Sequence, residues 1–192
     1  IYRSIYDAAP GEQPALMLAS ALVRLARRHE LDAWLPELQA AFPQNPQFRA
    51  ARSEHALLSG DYATGFDLIA ARWAVSLEQS KLAALPCPAW DGHAFAGTVL
   101  VTAEQGLGDE ILSSSMFEDL LAAGQPAVIE CAARLLPVFT RSFPGLRFVD
   151  RAGDELARIA ASPDARKIAA LELGRYFRRD AARMPTRPAW LV

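Results

Sequence analysis

The residues best suited to chemistry lie in one short loop, between a predicted buried strand and a predicted helix. The loop reads Ala103-Glu104-Gln105-Gly106-Leu107-Gly108-Asp109-Glu110. Glycines allow a backbone to approach a ligand closely, and a helix start offers N–H groups and positive dipole character to an anion. In an open α/β sheet, ligands bind at the carboxyl ends of the strands. We therefore expect a binding site at this loop.

Asp109 stands near the start of the following helix, where aspartate is favoured as the N-cap. Gly106 and Gly108 are expected to lie against the substrate. Glu104 and Gln105 either bind substrate hydroxyls or shape the loop, and Glu104 could also be a strand-end carboxylate facing solvent.

The glycines also permit a comparison with nucleotide-binding motifs. The loop is not a phosphate-binding P-loop, because the Lys-Ser/Thr pair after the second glycine is absent. Gly106 and Gly108 do match the first two glycines of a dinucleotide fingerprint, and Glu130 stands where a ribose-binding acid would lie. Against this, Ile111 occupies the third glycine position and Asp109 would place negative charge beside a pyrophosphate. A dinucleotide-binding protein remains an alternative function.

The elements that must position this loop form a predicted Rossmann-like α/β domain over residues 97–192. Strands alternate there with helices, which predicts a parallel sheet with right-handed crossovers. We expect strands at 98–103, 126–130, 146–149 and 167–171, and helices at 109–123, 134–143 and 155–161.

Residues 1–85 show helical periodicity, with predicted helices at 15–28, 31–42, 48–58 and 62–77. In the first of these, Leu18, Leu22 and Leu25 share one face. The turns at residues 29–31 and 60–62 have the spacing of a repeat close to the tetratricopeptide period of about 34 residues. We therefore expect an array of tetratricopeptide-like helical repeats that binds a protein or peptide. An unrelated four-helix array would pack by the same physics.

Residues 86–96 are predicted to be a linker between the two parts. The segment begins Pro86-Cys87-Pro88-Ala89-Trp90-Asp91-Gly92. Prolines restrict the chain to extended conformations, and Asp-Gly favours a turn.

The loop and its surroundings resemble bacterial proteins that join tetratricopeptide repeats to a heptosyltransferase-like domain, of glycosyltransferase family 9 and GT-B type. The similarity covers about residues 54–192, and its most specific part is the sequence Glu-Gln-Gly-x-Gly-Asp at 104–109. Weaker matches accompany it: Pro88-Ala-Trp90-Asp91-Gly92 before the sheet, Gly97-Thr-Val-Leu-Val in the first strand, Phe143-Pro144-Gly145-Leu146 before the third strand, and Leu173-Gly174-Arg175-Tyr176-Phe177 near the end.

This resemblance implies that residues 97–192 are the N-terminal half of a GT-B fold and carry the acceptor side of a glycosyl transfer. In that family, the aspartate after the glycine in this loop, here Asp109, is the proposed general base, which makes Asp109 the candidate catalytic residue. A carboxylate there could take the proton from an acceptor hydroxyl as it attacks the anomeric carbon. The alternative is that Asp109 only caps the helix, and the two roles can coexist. A sugar nucleotide donor is expected only with a second domain, so the chain alone holds no cofactor and is expected to be inactive. The acceptor would be a glycan or a protein. The main alternative is a non-enzymatic scaffold in which both parts bind proteins.

Composition excludes several other classes of protein. The net charge of −2 gives no reason to expect nucleic acid as a partner. No apolar run reaches the roughly 18 residues that a membrane span requires. Two cysteines are too few for a disulfide framework, and the three histidines have no metal-binding spacing. We expect a cytoplasmic protein without a metal site. Five arginines near the end are expected either to face solvent or to contact anions: Arg175, Arg178, Arg179, Arg183 and Arg187.

Overall fold

The computed structural model of the chain describes residues 2–25, 27–43, 45–75, 79–185 and 189–192. It divides into two compact units, a helical unit and an α/β unit. The helical unit comprises Ile1–Leu77 and Arg179–Ala182, and the α/β unit comprises Glu78–Arg178 and Arg183–Val192. Arg187 and the end of the helix predicted at 62–77 lie outside the described residues.

The described part of the helical unit contains five α-helices and one 3-10 helix. They are α1 (Tyr2–Ala8), α2 (Glu12–Arg24), α3 (Arg28–Ala41), α4 (Pro46–Ser59), α5 (Tyr62–Leu68) and the 3-10 segment Ile69–Val75. Helix α1 is an addition to the four predicted helices. Helix α2 contacts α1, α3 and α4, and α4 also contacts α3 and α5.

Local signals at the helix ends explain the boundaries in this unit. Gly60 follows α4 with φ +84°, a left-handed conformation that glycine adopts without steric cost. The Asp61 side chain then accepts a hydrogen bond from the Thr64 N–H at 3.1 Å and caps α5. Leu18 and Leu22 are buried as predicted, but the prediction for Leu25 is wrong, since it is 66% exposed. Leu25 is the C-cap residue that directly follows α2, and its N–H donates to the Ala21 carbonyl at 2.9 Å.

The α/β unit is built on a parallel sheet. Its strands are β1 (Thr98–Thr102), β2 (Ala127–Cys131), β3 (Arg147–Asp150) and β4 (Ala165–Ala169), in the order β3-β2-β1-β4 among the described residues. All three strand pairs are parallel, as predicted. The helices are α6 (Gln79–Ala84), α7 (Leu107–Ser114), α8 (Phe117–Ala122), α9 (Leu136–Ser142), α10 (Glu155–Ala160) and α11 (Gly174–Phe177), with 3-10 segments Ala170–Leu173 and Ala181–Arg183; the second of these straddles the division between the units.

Both faces of β1 are buried, which explains the apolar run Val99-Leu100-Val101 at its centre. Val99 and Val101 pack on the face that carries residues of α8 and α9, including Phe117 and Phe139. Leu100 points to the opposite face, where it shares a cluster with residues of α10. The alternation follows from the two-residue period of a strand.

The helix predicted at 109–123 is in fact two helices, so that prediction is wrong. Ser113, Ser114 and Ser115 each donate a side-chain hydrogen bond to the carbonyl three residues earlier, at 3.1, 2.7 and 2.8 Å. Serine hydroxyls that bond local backbone groups compete with the helical ladder. Three such serines in succession lie where the helical hydrogen-bond pattern is interrupted between α7 and α8.

The segment predicted as a linker at residues 86–96 packs along the sheet. Cys87 and Trp90 are buried with the α/β core. The N–H of Trp90 donates to the carbonyl of Lys167 at 2.8 Å, and the N–H of Lys167 donates to the carbonyl of Pro88 at 2.9 Å. These bonds cover the outer edge of β4 with this segment, which protects an edge strand from pairing elsewhere.

A search of the described residues for a possible membrane-spanning segment finds no helix that combines the required length and apolar character.

The aromatic cluster around Phe117 is expected to contribute much of the stability of the α/β unit. The Phe117 ring lies 5.8 Å from Phe139, 5.5 Å from Phe143 and 6.0 Å from Phe148, centroid to centroid. Phe117→Ala should lower the free energy of unfolding by about 3–5 kcal/mol, the usual cost of deleting a buried phenylalanine ring.

The measurement is a urea titration in which strand amide signals are followed by NMR. Leu112→Ala is the matched control because Leu112 is 59% exposed, and it should change stability by no more than about 0.5 kcal/mol. Equal effects of the two substitutions would show that the cluster does not stabilise the sheet.

Candidate functional site

The predicted loop lies at the carboxyl end of β1, at the point where the direction of the sheet order reverses. The chain moves from β1 to β2 and β3 in one direction, and then returns through α10 to place β4 on the other side of β1. The packing of α10 on the opposite face makes the gap between β1 and β4 a topological switch point. Open α/β sheets bind ligands at such gaps.

Asp109 lies in the first turn of α7 and is half-buried. The prediction that it is the N-cap is wrong in position, because Gly106 occupies the N-cap and Asp109 is the third helical residue. Its Oδ2 accepts a hydrogen bond from the Gly106 N–H at 3.1 Å. This is one of the two bonds of a capping box, in which the side chain of the third helical residue bonds the backbone N–H of the N-cap residue. The carboxylate also lies at the positive end of the helix dipole, which stabilises negative charge.

Glu104 is placed differently from the other residues of the loop. Its side chain is 1% exposed, and Oε1 accepts a hydrogen bond from the Leu171 N–H at 2.6 Å. Leu171 follows β4, so this bond connects the two sides of the switch point. Glu130, at the end of β2, similarly accepts from the Ala103 N–H at 3.1 Å. Glu104 therefore braces the loop from inside.

Gln105, Gly106 and Gly108 form the exposed surface of the loop. Gln105 has φ +43°, in the left-handed region that a residue with a side chain seldom adopts. A Cβ atom built on Gly108 would meet no heavy atom within 4 Å, so open space adjoins this position. These three residues are accessible to a ligand in the way that the sequence analysis expects.

Two residues that the sequence analysis did not select are part of the same edge. The buried Glu110 accepts from the Ala132 N–H at 2.7 Å through Oε2, and its Oε1 pairs with Arg151 Nη1 at 2.8 Å. A signal for Glu110 was present in the sequence. It lies three residues from Leu107, on the inward side of α7, and a charge on a buried helix face requires a partner.

The C-terminal arginines do not share one environment. Arg178 is buried, where it forms an ion pair with Asp119 at 2.5 Å and donates to the Ser115 carbonyl at 2.9 Å. Arg179 forms a two-bond ion pair with Asp67, at 2.6 and 2.9 Å. Arg175 and Arg183 are exposed. Arg178 therefore does not belong to a solvated face, because its guanidinium holds the junction of α7 and α8.

Cys131 is the last residue of β2 and is fully buried. Burial raises the pKa of its thiol to about 12, and the negative charges of Glu110, Asp150 and Glu130 act in the same direction. Burial also raises the pKa of Cys87. Neither thiol is suited to act as a nucleophile at neutral pH, because the thiolate is the reactive form. In the described ranges, no group of three or more His, Cys, Asp or Glu side chains could hold a metal ion.

We expect both thiols to resist Ellman's reagent at pH 8 in the native protein and to react when the chain is unfolded in urea. The folded protein binds the Cys131 proton more tightly than the unfolded chain, whose thiol has a pKa near 9.0. Stability from this group is therefore complete below pH 9 and is lost as the pH rises towards 12.

Denaturation of the wild type and of Cys131→Ala at pH 8 and pH 10 measures this contribution. The unfolding free energy of the wild type should fall more over this interval than that of the variant. Rapid labelling of Cys131 in the native state would contradict the burial of this thiol.

Comparison with known proteins gives one relative. The chain is 31% identical over 125 residues to the Caulobacter vibrioides protein named Protein FlbA, and the match covers 60% of this chain and 21% of FlbA. The matched region thus spans about a fifth of FlbA. No family model matches the chain, and no solved structure matches it significantly.

Proposed function

We propose that the α/β unit binds the acceptor of a glycosyl transfer at the carboxyl edge of its sheet, and that Asp109 is the general base. The observation that carries the proposal is the position of the Asp109 carboxylate. It stands half-exposed beside a topological switch point, oriented by a hydrogen bond from the Gly106 N–H at 3.1 Å. A general base must be held where a substrate hydroxyl can reach it.

The proposed reaction joins an acceptor hydroxyl to the anomeric carbon of a sugar nucleotide. The acceptor oxygen forms a bond to that carbon, and the bond from the carbon to the nucleotide phosphate oxygen breaks. The phosphate leaves with the electron pair, and the acceptor proton passes to the Asp109 carboxylate. The donor would be held by a second domain, as the resemblance to GT-B enzymes implies, so this unit would supply only the acceptor side.

The surface next to Asp109 suits an acceptor that carries hydroxyl groups and no charge. Gln105 offers a side-chain amide that can both donate and accept hydrogen bonds. Gly106 and Gly108 leave the backbone uncovered, with open space beside Gly108. Sugar hydroxyls are well matched by such a mixture of amide and backbone groups, which makes a glycan or a glycosylated acceptor the favoured class.

The same geometry weighs against the dinucleotide alternative. In that function the Gly106 N–H would face a pyrophosphate, but it donates to the Asp109 carboxylate. Glu130, the candidate ribose ligand, already uses its Oε2 to accept from the Ala103 N–H. Quenching of intrinsic fluorescence by added dinucleotide would favour this alternative over glycosyl transfer.

For the helical unit, we infer a tetratricopeptide-like pair of hairpins that binds a protein or peptide. Three features support this inference. Gly65 allows α5 to lie close to α4, since a Cβ there would come within 2.6 Å of the Leu57 side chain. Ser53 on α4 donates to the Gly65 carbonyl at 2.7 Å. Helix α2 contacts both α3 and α4, the pattern of stacked hairpins.

One face of α2 provides a surface for such a partner. A groove of about 460 Å³ is lined there by side chains that include Leu16, Met17 and Leu25. Met17 and Leu25 are exposed, and methionine adapts readily to different partners. If the protein is a scaffold and not an enzyme, this groove would carry its function and Asp109 would be dispensable.

Asp109→Asn separates the catalytic role from the capping role. The asparagine oxygen can still accept from the Gly106 N–H, so stability should fall by less than about 1 kcal/mol. Transfer should fall by about 10²–10⁴-fold, because the amide cannot take a proton. The measurement is nucleotide release by the full-length protein supplied with a panel of sugar nucleotides and acceptors, together with thermal unfolding.

Asp154→Asn is the control for Asp109→Asn, because Asp154 is an exposed carboxylate that pairs with Arg158 on α10. It should leave both transfer and stability near the wild-type values. Transfer that survives Asp109→Asn unchanged would remove Asp109 as the base and favour the scaffold alternative.

Gly108→Ala tests whether the substrate approaches the backbone of the loop. The added methyl group meets nothing in the protein, so stability should stay constant or rise by up to about 1 kcal/mol. Acceptor affinity should fall, because the methyl group occupies the open space beside the loop. The matched control is Gly11→Ala, a second glycine at a helix start without a close neighbour. Unchanged acceptor binding in Gly108→Ala would place the substrate elsewhere.

A further inference from the structure

The peptide unit between Gln105 and Gly106 is held from both ends. Its N–H, on Gly106, donates to Asp109 Oδ2 at 3.1 Å. Its carbonyl, on Gln105, accepts from Arg151 Nη1 at 3.3 Å. In a trans peptide the two groups point in opposite directions, so these bonds fix the orientation of the peptide plane. The orientation of that plane in turn determines where the Asp109 carboxylate is held.

This peptide needs an external restraint, because Gln105 is in an unfavourable conformation. Its φ of +43° lies in the left-handed region, which costs free energy for a residue with a side chain. Strain of this kind persists only where the surroundings over-determine it. A change in the φ of Gln105 would relieve this strain, but it would also move the Gln105–Gly106 peptide and withdraw the Gly106 N–H from Asp109.

Arg151 is well placed to supply the restraint. It follows β3, and its backbone N–H donates to the Cys131 carbonyl at 2.8 Å, which fixes the base of the side chain. The same Nη1 that contacts Gln105 also pairs with Glu110 Oε1 at 2.8 Å. The side chains of Glu110 and Arg151 are only 2% and 28% exposed. This is an ion pair largely removed from solvent screening.

Glu110 connects the pair to the rest of the sheet edge. Its second oxygen, Oε2, accepts from the Ala132 N–H at 2.7 Å. The pair therefore touches the segments that follow β1, β2 and β3. A buried carboxylate is costly to desolvate, and an apolar residue of similar volume is often at least as stabilising. A role of the Glu110–Arg151 pair in holding the loop would explain why the chain keeps a buried carboxylate here.

We propose that Glu110 and Arg151 are positioning residues for Asp109. Arg151 holds the Gln105 carbonyl, and Glu110 holds Arg151. The strained peptide then presents its N–H to the Asp109 carboxylate and fixes that carboxylate at the sheet edge. The consequence for a reaction rests on the proposed function of Asp109, whereas the restraint on the loop is independent of it.

Amide hydrogen exchange at Gly106, measured by NMR, tests the restraint directly. Arg151→Met removes the guanidinium and keeps an unbranched side chain of similar length. The Gly106 amide should then exchange at least tenfold faster, while the amides of Val101 and Ile168 in the sheet remain protected. Arg158→Met is the control, because Arg158 also pairs with a carboxylate, but its side chain is exposed to solvent on α10. It should leave Gly106 exchange unchanged.

A second substitution shows whether the strain at Gln105 is what Arg151 opposes. Glycine adopts positive φ without steric cost, so Gln105→Gly combined with Arg151→Met should recover at least half of the lost protection of Gly106. A purely structural loss on removing Arg151 would not be recovered in this way. Should Arg151→Met fail to fold, Arg151→Lys keeps a cation near Glu110 and should give a smaller but measurable rise in exchange.

The proposal is overturned if Gly106 exchange is unchanged in a folded Arg151 variant while Asp109→Ala, which removes the acceptor, accelerates it. It is also overturned if Gln105→Gly recovers none of the protection. The proposed function fails separately if the loop responds to the Arg151 variants as expected but transfer by the full-length protein survives Asp109→Asn with its wild-type kcat. These outcomes are distinguishable because exchange reports the loop and kcat reports the reaction.

Discussion

Backbone N–H groups just beyond the strand ends must find acceptors, and in this protein glutamate carboxylates supply them. In a parallel sheet the ladder stops at the strand end, and a buried N–H left without a partner is costly. Glu130 accepts from Ala103, Glu104 from Leu171, and Glu110 from Ala132. Each bond connects neighbouring strands at their carboxyl ends or the segments that follow them. We call this connected carboxyl edge the rim, and the glycine loop is part of it.

This arrangement also explains the unusual pattern of α7. Its buried side carries Glu110, Ser113 and Ser114, whereas Ile111 and Leu112 are exposed. These polar residues can face inward because each has a hydrogen-bond partner there, at the rim or within the last turn of α7. Glu110 bonds the segment after β2, and Ser114 accepts a hydrogen bond from the Trp190 indole at 2.9 Å. The helix is held by hydrogen bonds and an ion pair where most helices rely on apolar packing.

The regular parts of the fold were predictable from sequence because they follow simple periods. The centres of the four strands read as short apolar segments between turns, and each prediction agrees within two residues at either end. The interruption at Ser115 was not predictable from periodicity, since α7 and α8 together retain a helical composition. Leu25 shows a different limit, because a residue with the helical spacing of a core position is exposed at the end of α2.

The position of the candidate loop in the fold was predictable from the sequence, whereas the surroundings of its individual residues were only partly predictable. The glycines and the strand before them locate the loop, and the position of Asp109 near a helix start follows from its type. Burial of Glu104 could not be deduced, because its partner Leu171 is 67 residues away in the chain. The same limit applies to Arg151 and Glu110, which are separated by 41 residues. Such contacts depend on strand order, which local sequence does not encode.

The capping bond and a catalytic role of Asp109 are compatible for a simple stereochemical reason. An ionised carboxylate has about four lone-pair directions, and the hydrogen bond from the Gly106 N–H uses one of them. The cap thus orients the group without consuming its capacity to accept a proton. It also ties the carboxylate to the Gln105–Gly106 peptide, and through Arg151 and Glu110 to the rim. On the proposed function, a ligand that displaced the Gln105 carbonyl from Arg151 would also change the orientation of the Asp109 carboxylate, because the same peptide carries both hydrogen bonds.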